Sequence, residues 1–374
     1  MTPYHTILAA IALERFAWYC FLGMLALWRD SAAVGALLFW AYLSPMLGGL
    51  LGRYSLRASV AGGAVLLLTG YVAATIGGNP LPLLALGCGL FKPCLSALLG
   101  SLFQVGAART AAFGRYYAAI QVGSMPSTLV GGYLHYRFGW GAAFAACATA
   151  MCLCLTVLAI SWPKLQMRES IAETVIDAVT KPQWGRLAVL CVGAVVFFAG
   201  FQQQSTTLVL WAERVCRLPL PEAVSTLNPV FAVVFLASPL ASWSNLRGRL
   251  SLGMLCLAAG FAMLLCGTGV GFLVSWYVLA TVGEVLISPL GLDLASALVP
   301  RRLASTATAL WLASMALGGW LAGQLGSLPD PRLAVTLSAA LSLSGALWFA
   351  LLIPKTKEAI DLRGRSEERR VGKE

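Results

Sequence analysis

Apolar stretches long enough to cross the hydrocarbon core of a bilayer recur along almost the entire chain. We count twelve of them, at approximately residues 4–28, 32–52, 56–77, 80–103, 112–135, 140–161, 185–212, 221–243, 249–268, 271–295, 303–326 and 331–354. About 20 apolar residues in an α-helix span the roughly 30 Å of hydrocarbon. Only 11% of the 374 residues are charged, against about 25% in soluble domains, which excludes a water-soluble globular fold. The pattern predicts an all-α polytopic membrane protein with twelve transmembrane helices.

The longest polar break between apolar stretches lies at residues 162–184 and divides the twelve stretches into two groups of six. We therefore predict an N-terminal six-helix bundle at 1–161, a cytoplasmic linker at 162–184, a C-terminal six-helix bundle at 185–354 and a cytoplasmic tail at 355–374. Apolar residues recur every four positions in the linker, which favours a short amphipathic helix on the membrane surface. Residues 365–374 read RSEERRVGKE. They resemble a translated sequencing adapter, with an ordinary basic, disordered tail as the alternative, and we draw no function from them.

Basic residues stand mainly at the ends of the apolar stretches, and the formal net charge of the chain is +11. With a cytoplasmic N-terminus, the cytoplasmic connections contain twelve Lys and Arg residues and the outer connections contain five. The positive-inside rule then predicts that both chain ends are cytoplasmic. Membrane topology therefore explains the positive net charge of the chain. We expect lipid as a partner and do not expect nucleic acid.

Residue patterns typical of enzymes and metalloproteins are missing from the sequence. The ten cysteines are scattered through apolar stretches without Cys-x-x-Cys spacing, and the two histidines, His5 and His135, are far apart. Scattered cysteines of this kind are typical of helix packing. We find no P-loop, catalytic triad or cluster of metal ligands. The sequence thus predicts no catalytic residue, no metal site and no cofactor.

Four ionisable residues lie in the middle of apolar stretches, where a charge is costly. They are Glu14 and Arg15 in the first stretch, Lys92 in the fourth and Glu284 in the tenth. The formal charges of these two acids and two bases sum to zero, as expected if the four side chains meet around one cavity. The alternative is two inert buried pairs that only fix helix packing. We favour a functional site, because membrane helices rarely contain charges for packing alone.

Short motifs occur in chain order on six of the apolar stretches. They are ERFAWY at 14–19, GLFKPCLS at 89–96, FGRYYAAIQVGS at 113–124, FQQ at 201–203, NP at 228–229 and GEVLISPLGL at 283–292. These motifs resemble those of the proton-dependent oligopeptide transporter (peptide transporter) family of the major facilitator superfamily. Each match alone would be weak, but six in register make a specific resemblance that covers nearly the whole apolar chain.

The resemblance implies a twelve-helix transporter of two six-helix bundles, with a central cavity that opens to alternate sides of a bacterial cytoplasmic membrane. It also implies that a zwitterionic di- or tripeptide binds with its carboxylate at Lys92 and its amine at Glu284. Opposite charges across a pocket independently complement such a zwitterion. The substrate-binding residues expected on this basis are Lys92, Glu284, Asn228, Gln121, Tyr19 and Arg15.

The sequence departs from the family motifs at several polar positions. Ile11 replaces the first acid of the helix 1 motif, and Gln202 replaces an acid in the seventh stretch. Leu22 stands where most members have a basic residue, and Trp18 replaces a tyrosine. The acids that the family links to proton coupling are thereby reduced to two.

The leading hypothesis is a monomeric, proton-coupled symporter of di- and tripeptides, with Glu14 and Glu284 as the proton-coupling residues. One alternative is a divergent member that moves another small solute, such as a drug, a modified amino acid or an organic anion, or a facilitator without proton coupling. The other is a transport-dead membrane sensor or partner protein. The buried charges favour transport, because an inactive cavity does not need them.

Overall fold

The computed structural model describes residues 2–46, 55–103, 107–162, 183–236, 245–299 and 303–353. The described residues form α-helices joined by short connections, and two short 3₁₀ helices interrupt the second half of the chain. The α-helices are α1 (Pro3–Trp28), α2 (Ser31–Leu43), α3 (Leu56–Thr75), α4 (Leu81–Ser101), α5 (Ala107–Ser124), α6 (Ser127–Phe138), α7 (Trp140–Ser161), α8 (Trp184–Phe201), α9 (Thr207–Arg214), α10 (Leu227–Leu236), α11 (Leu246–Cys266), α12 (Val270–Ala297), α13 (Ala304–Gly326) and α14 (Pro331–Leu352). The 3₁₀ helices are Gln202–Ser205 and Pro221–Thr226.

The twelve predicted apolar stretches correspond one by one to the helical segments of the described chain. Among the described residues, nine of them hold a single α-helix each, and the eighth consists of the 3₁₀ helix Pro221–Thr226 followed by α10. The other two are interrupted. The fifth is divided into α5 and α6 at Pro126, because proline has no N–H for the helix ladder. The seventh consists of α8, the 3₁₀ helix Gln202–Ser205 and α9. The all-α fold with twelve membrane-crossing segments is therefore confirmed.

Buried apolar side chains form two separate cores. One extends from Ile7 to Leu158 and the other from Leu187 to Ile353, so each lies within one of the two predicted six-helix bundles. The bundles approach each other closely where α2 meets α13. A Cβ atom added to Gly35 would lie 2.8 Å from Cα of Gly323, so only glycine permits this backbone separation.

Several expectations concern residues that the structure does not describe. The amphipathic helix predicted in the linker lies within residues 163–182, and the tail lies within 354–374, both outside the described residues. The cytoplasmic orientation of the termini stays a prediction. We therefore name the two faces by topology. The distal face carries the connection between α1 and α2 at Arg29 and Asp30, and the terminal face carries the beginning of α1 and the end of α14.

Candidate functional site

A cavity of about 320 Å³ lies between the two bundles. Its N-terminal wall comes from α1, α2, α5 and α6, and its C-terminal wall comes from α8, the two 3₁₀ helices, α10, α12 and α13. The polar and aromatic side chains that line it include Arg15, Tyr19, Tyr42, Tyr117, Gln121, Gln202, Gln204, Ser225, Asn228 and Glu284. Five of the six substrate-binding residues predicted from the sequence thus surround one cavity.

The α1 wall of the cavity contains a buried ion pair. The Arg15 guanidinium donates from Nε and Nη2 to the two carboxylate oxygens of Glu14, which is fully buried. Arg15 lines the cavity and Glu14 does not. Of the two paired residues, only the arginine is therefore exposed to the cavity. The Tyr19 ring lies beside the same guanidinium, with its centroid 5.7 Å from Arg15 Cζ.

The spacing of residues along α1 explains why these side chains reach the site together. Residues 11, 15, 18 and 22 follow the three-to-four spacing that places side chains on one helix face. All four are buried, and three of them, Arg15, Trp18 and Leu22, line the cavity. Ile11, which replaces the first acid of the family motif, is an apolar member of this face.

Lys92 has a different position from the one predicted. It is half-buried on α4 and is not among the residues that line the cavity. Its Nζ lies over the Trp18 ring, 4.0 Å from the centroid, and 5.8 Å from the Tyr42 centroid. The structure thus holds the ammonium group against aromatic faces and does not pair it with Glu284. That the two meet in another conformation stays a prediction.

The opposite wall presents a carboxylate that is held by neutral groups. Glu284 on α12 lines the cavity, and its Oε2 accepts a hydrogen bond of 3.0 Å from Asn228 Nδ2. The same Nδ2 lies 3.1 Å from Oγ1 of Thr281, and this hydroxyl donates to the carbonyl of Tyr277. Because no cation neutralises Glu284 among the described residues, it is available to a cationic group of a solute.

On the distal side of the cavity, two polar contacts join the bundles. The hydroxyl oxygens of Thr128 on α6 and Thr226 are 2.7 Å apart, and His135 Nδ1 lies 2.8 Å from Oε1 of Glu222. Neither residue of this second pair lies in one of the six sequence motifs. The predicted membrane topology is compatible with this contact, because His135 at the end of the fifth stretch and Glu222 at the beginning of the eighth lie on the same face of the membrane.

Some residues that line the cavity were not among the predicted substrate-binding residues, although Tyr117 and Gln202 lie within the quoted motifs. Tyr42 and Tyr117 line the cavity, but aromatic residues in apolar stretches occur equally at lipid-facing positions. Gln202, Gln203 and Gln204 form the 3₁₀ turn that interrupts the seventh stretch. Gln203 turns inward and donates to the carbonyl of Ala199, whereas its two glutamine neighbours line the cavity.

Two six-helix bundles that enclose a polar cavity between them define the architecture of the major facilitator superfamily. The sequence profile PTR2, described as the POT family, matches residues 60–184. The "Dipeptide and tripeptide permease A" of Chromobacterium violaceum is 28% identical over 88% of this chain and 86% of its own length. The "Peptide transporter YePEPT" of Yersinia enterocolitica subsp. palearctica is 26% identical over 87% of this chain and 86% of its own length. These matches confirm the resemblance to the POT family that the motifs indicate.

Solved structures share the fold at lower sequence identity. A mutant of the peptide transporter POT in complex with alafosfalin superposes with a TM-score of 0.83, at 20% identity and 94% coverage of both chains. A POT family transporter in complex with 5-aminolevulinic acid gives a TM-score of 0.82 at 17% identity, over 94% of this chain and 95% of the other. These superpositions establish a common fold over both bundles.

Proposed function

We propose that this chain is a secondary active transporter that carries di- and tripeptides across the bacterial cytoplasmic membrane by alternating access. The observation that carries the proposal is the placement of Arg15 and Glu284 on opposite walls of one cavity between the two bundles. A short peptide has an ammonium group at one end and a carboxylate at the other, and opposite charges across a pocket complement it. The names of the 28% and 26% identical relatives support the same substrate class.

The walls suggest how such a peptide would be oriented. Its ammonium group would meet Glu284, whose remaining carboxylate oxygen is not used by Asn228. Its carboxylate would lie toward Arg15, with Lys92 as the second cation on that side. Gln121 and Asn228 offer amide donors and acceptors for the peptide backbone, and Tyr19 contributes to the wall. A polar and aromatic surface of this kind accepts varied side chains.

We also propose that proton movement drives uptake through Glu14 and Glu284. The Glu14 carboxylate accepts both hydrogen bonds of the Arg15 guanidinium. Protonation would remove the negative charge and reduce its acceptor capacity, which would release Arg15 toward the carboxylate of a bound peptide. Protonation of Glu284 would weaken the hold on the ammonium group in the same way. The proton is the only coupling partner proposed, and the transporter is proposed to act as a monomer with both termini in the cytoplasm.

The experiment that tests this function is uptake of labelled dialanine into proteoliposomes with and without an inward proton gradient. Gradient-dependent accumulation is expected, and Glu284→Gln serves as the matched variant that should lose it. Uptake that is indifferent to the gradient would establish a peptide facilitator. Absence of both binding and uptake by the purified wild-type protein would overturn the proposal.

A second candidate function is the transport of another small solute with an amine and an acidic group. The observation that favours it is the neutral character of Ile11 and Gln202 at positions where the family motifs have acids. A 17% identical relative of the same fold was solved in complex with 5-aminolevulinic acid, which has both groups. Competition of this compound, alafosfalin and dialanine for the same binding site would rank the candidates. A transport-dead sensor or partner protein would transport none of them.

A further inference from the structure

The Trp18 indole lies at the boundary between Lys92 and the cavity. The ring is almost completely buried and lines the cavity, whereas Lys92 does not line it. Nζ of Lys92 is 4.0 Å from the ring centroid, which is within the distance of a cation–π interaction. Arg15 Cζ lies 5.7 Å from the same ring. The indole thus covers the ammonium group from the side on which a solute would bind.

The charges of the described residues around the site show that Lys92 and Glu284 both lack an oppositely charged partner. Within the described part of the chain, the close contacts between basic and acidic side chains include Arg15 with Glu14, His135 with Glu222 and Arg214 with Glu213. Neither Lys92 nor Glu284 takes part in one of them. The cation that would balance Glu284 is therefore present in the membrane but is held against aromatic rings. A second ring, that of Tyr42, lies 5.8 Å from the same Nζ.

We propose that Trp18 is a positioning residue that withholds Lys92 from the cavity, so that the carboxylate of a peptide reaches this lysine only after the indole moves. The proposal rests on the proposed function and concerns its selectivity. In the conformation described, the cavity binds the ammonium end of a solute at Glu284, and the other end meets only Arg15, whose charge is already paired with Glu14. The cavity therefore makes little distinction between a free carboxylate and a neutral carboxamide at that end. Movement of the indole then adds the charge of Lys92 and with it the preference for a carboxylate.

A cation that leaves an aromatic face for a carboxylate exchanges a weaker interaction for a stronger one. The exchange also exposes the indole face. The interaction with the ring therefore determines how easily the Lys92 side chain moves into the cavity. An aliphatic side chain of comparable size would leave the ammonium group without this partner. The Cys88 thiol, one turn earlier on α4, would remain as a partner of Lys92, but a thiol is only a weak acceptor. Lys92 would then turn to the cavity in the resting state, because a poorly compensated charge in a membrane interior is costly.

The test compares the Kd of Ala-Ala with that of Ala-Ala-amide on the detergent-purified full chain at one fixed pH. The ratio of the two constants measures the preference for a free carboxylate. For the wild type, we expect a ratio within threefold. Trp18→Leu should raise the preference for Ala-Ala about tenfold. Trp18→Phe keeps an aromatic face over Lys92 and should stay within threefold of wild type, which makes it the matched control.

The double variant Trp18→Leu/Lys92→Gln identifies the group responsible. If the lysine creates the new preference, the double variant returns to the wild-type ratio. An unchanged ratio in Trp18→Leu, or a raised ratio that persists in the double variant, would overturn the proposal. If Trp18→Leu does not fold, Trp18→Met replaces it, because the flexible methionine side chain adapts to irregular packing. Failure of the wild type to bind either compound would instead count against the proposed function.

Discussion

The His135 imidazole and the Glu222 carboxylate form a polar contact of 2.8 Å that joins the two bundles at the distal face. His135 lies near the end of α6, and Glu222 lies in the 3₁₀ helix that precedes α10. The imidazole also stacks on Trp140, with ring centroids 3.5 Å apart. Gly139 has a φ of +83° and permits the tight connection that places Trp140 on this ring. The contact lies on the side of the molecule opposite the chain ends.

Removal of His135 should destabilise the protein, because Glu222 is 1% exposed, its Oε1 contacts His135, and its Oε2 has no hydrogen-bond partner among the described residues. Leaving a buried acceptor without its hydrogen-bond partner costs about 1–3 kcal/mol, and more when the acceptor is charged. We expect His135→Ala to lower the Tm of the detergent-purified protein by several degrees. The double variant His135→Leu/Glu222→Leu should recover most of the loss, since it leaves no charge buried.

The exposed pair Arg214–Glu213 supplies the control for this measurement. Its atoms are 3.7 Å apart and both side chains are about half exposed, and surface ion pairs contribute about 0–1 kcal/mol. Arg214→Ala should therefore leave Tm nearly unchanged. A Tm for His135→Ala equal to that of Arg214→Ala would show that the distal contact does not stabilise this conformation.

Gly35→Ala should disturb the contact between α2 and α13. The added Cβ would lie 2.8 Å from Cα of Gly323 and 3.0 Å from the carbonyl oxygen of Trp320, so the backbones must separate. Overpacking of this kind costs about 1–3 kcal/mol, and we expect a lower Tm together with slower uptake. Gly62→Ala on α3 is the matched control, because a Cβ at Gly62 meets no atom within 4 Å. Equal Tm values for the two variants would contradict the prediction.

Leu22 and Gln202 are expected to behave as a pair. Both are buried and line the same cavity from opposite bundles, at positions where the resembled family has a base and an acid. Leu22→Arg alone or Gln202→Glu alone would place an uncompensated charge in this wall, at a cost of about 3–5 kcal/mol. The double variant should recover much of the lost Tm. Simple addition of the two single effects would show that the new side chains do not meet.

Glu14→Gln should separate exchange from accumulation. The glutamine keeps the shape of the carboxylate and a hydrogen bond to Arg15, but it cannot take up and release a proton. We expect counterflow exchange of labelled dialanine in proteoliposomes to remain, and uphill uptake driven by the proton gradient to be lost. Uphill uptake that persists at the wild-type rate would assign coupling to Glu284 alone. Measuring exchange and uptake on the same preparation controls for the amount of folded protein.

Motifs located several of the cavity residues in advance. Arg15, Tyr19, Gln121, Asn228 and Glu284 were predicted from short motifs and do line one cavity. Prediction succeeded here because each motif fixes a side chain on a known face of a helix. In addition, helices with the same position in the chain order occupy equivalent places in proteins that share this fold. The role of each residue in substrate binding stays a proposal.

The sequence by itself determined the number and order of the membrane-crossing segments and the division into two groups of six. It could do so because the length of an apolar run is a local property that the thickness of the hydrocarbon core translates directly into a spanning helix. The hydrophobic pattern does not predict the interruptions at Pro126 and at Gln202–Ser205, because a short irregular turn hardly changes the apolar character of the stretch that contains it.

Only the tertiary structure decided which buried polar groups meet. Glu14 pairs with its neighbour in sequence, whereas Lys92 turns to the Trp18 ring and Glu222 pairs with a histidine 87 residues away. These choices depend on the rotation of each helix about its axis and on the side-chain rotamers that packing permits. Neither quantity is contained in hydrophobic length or in motif spacing, because both are set by contacts between helices that are distant in sequence.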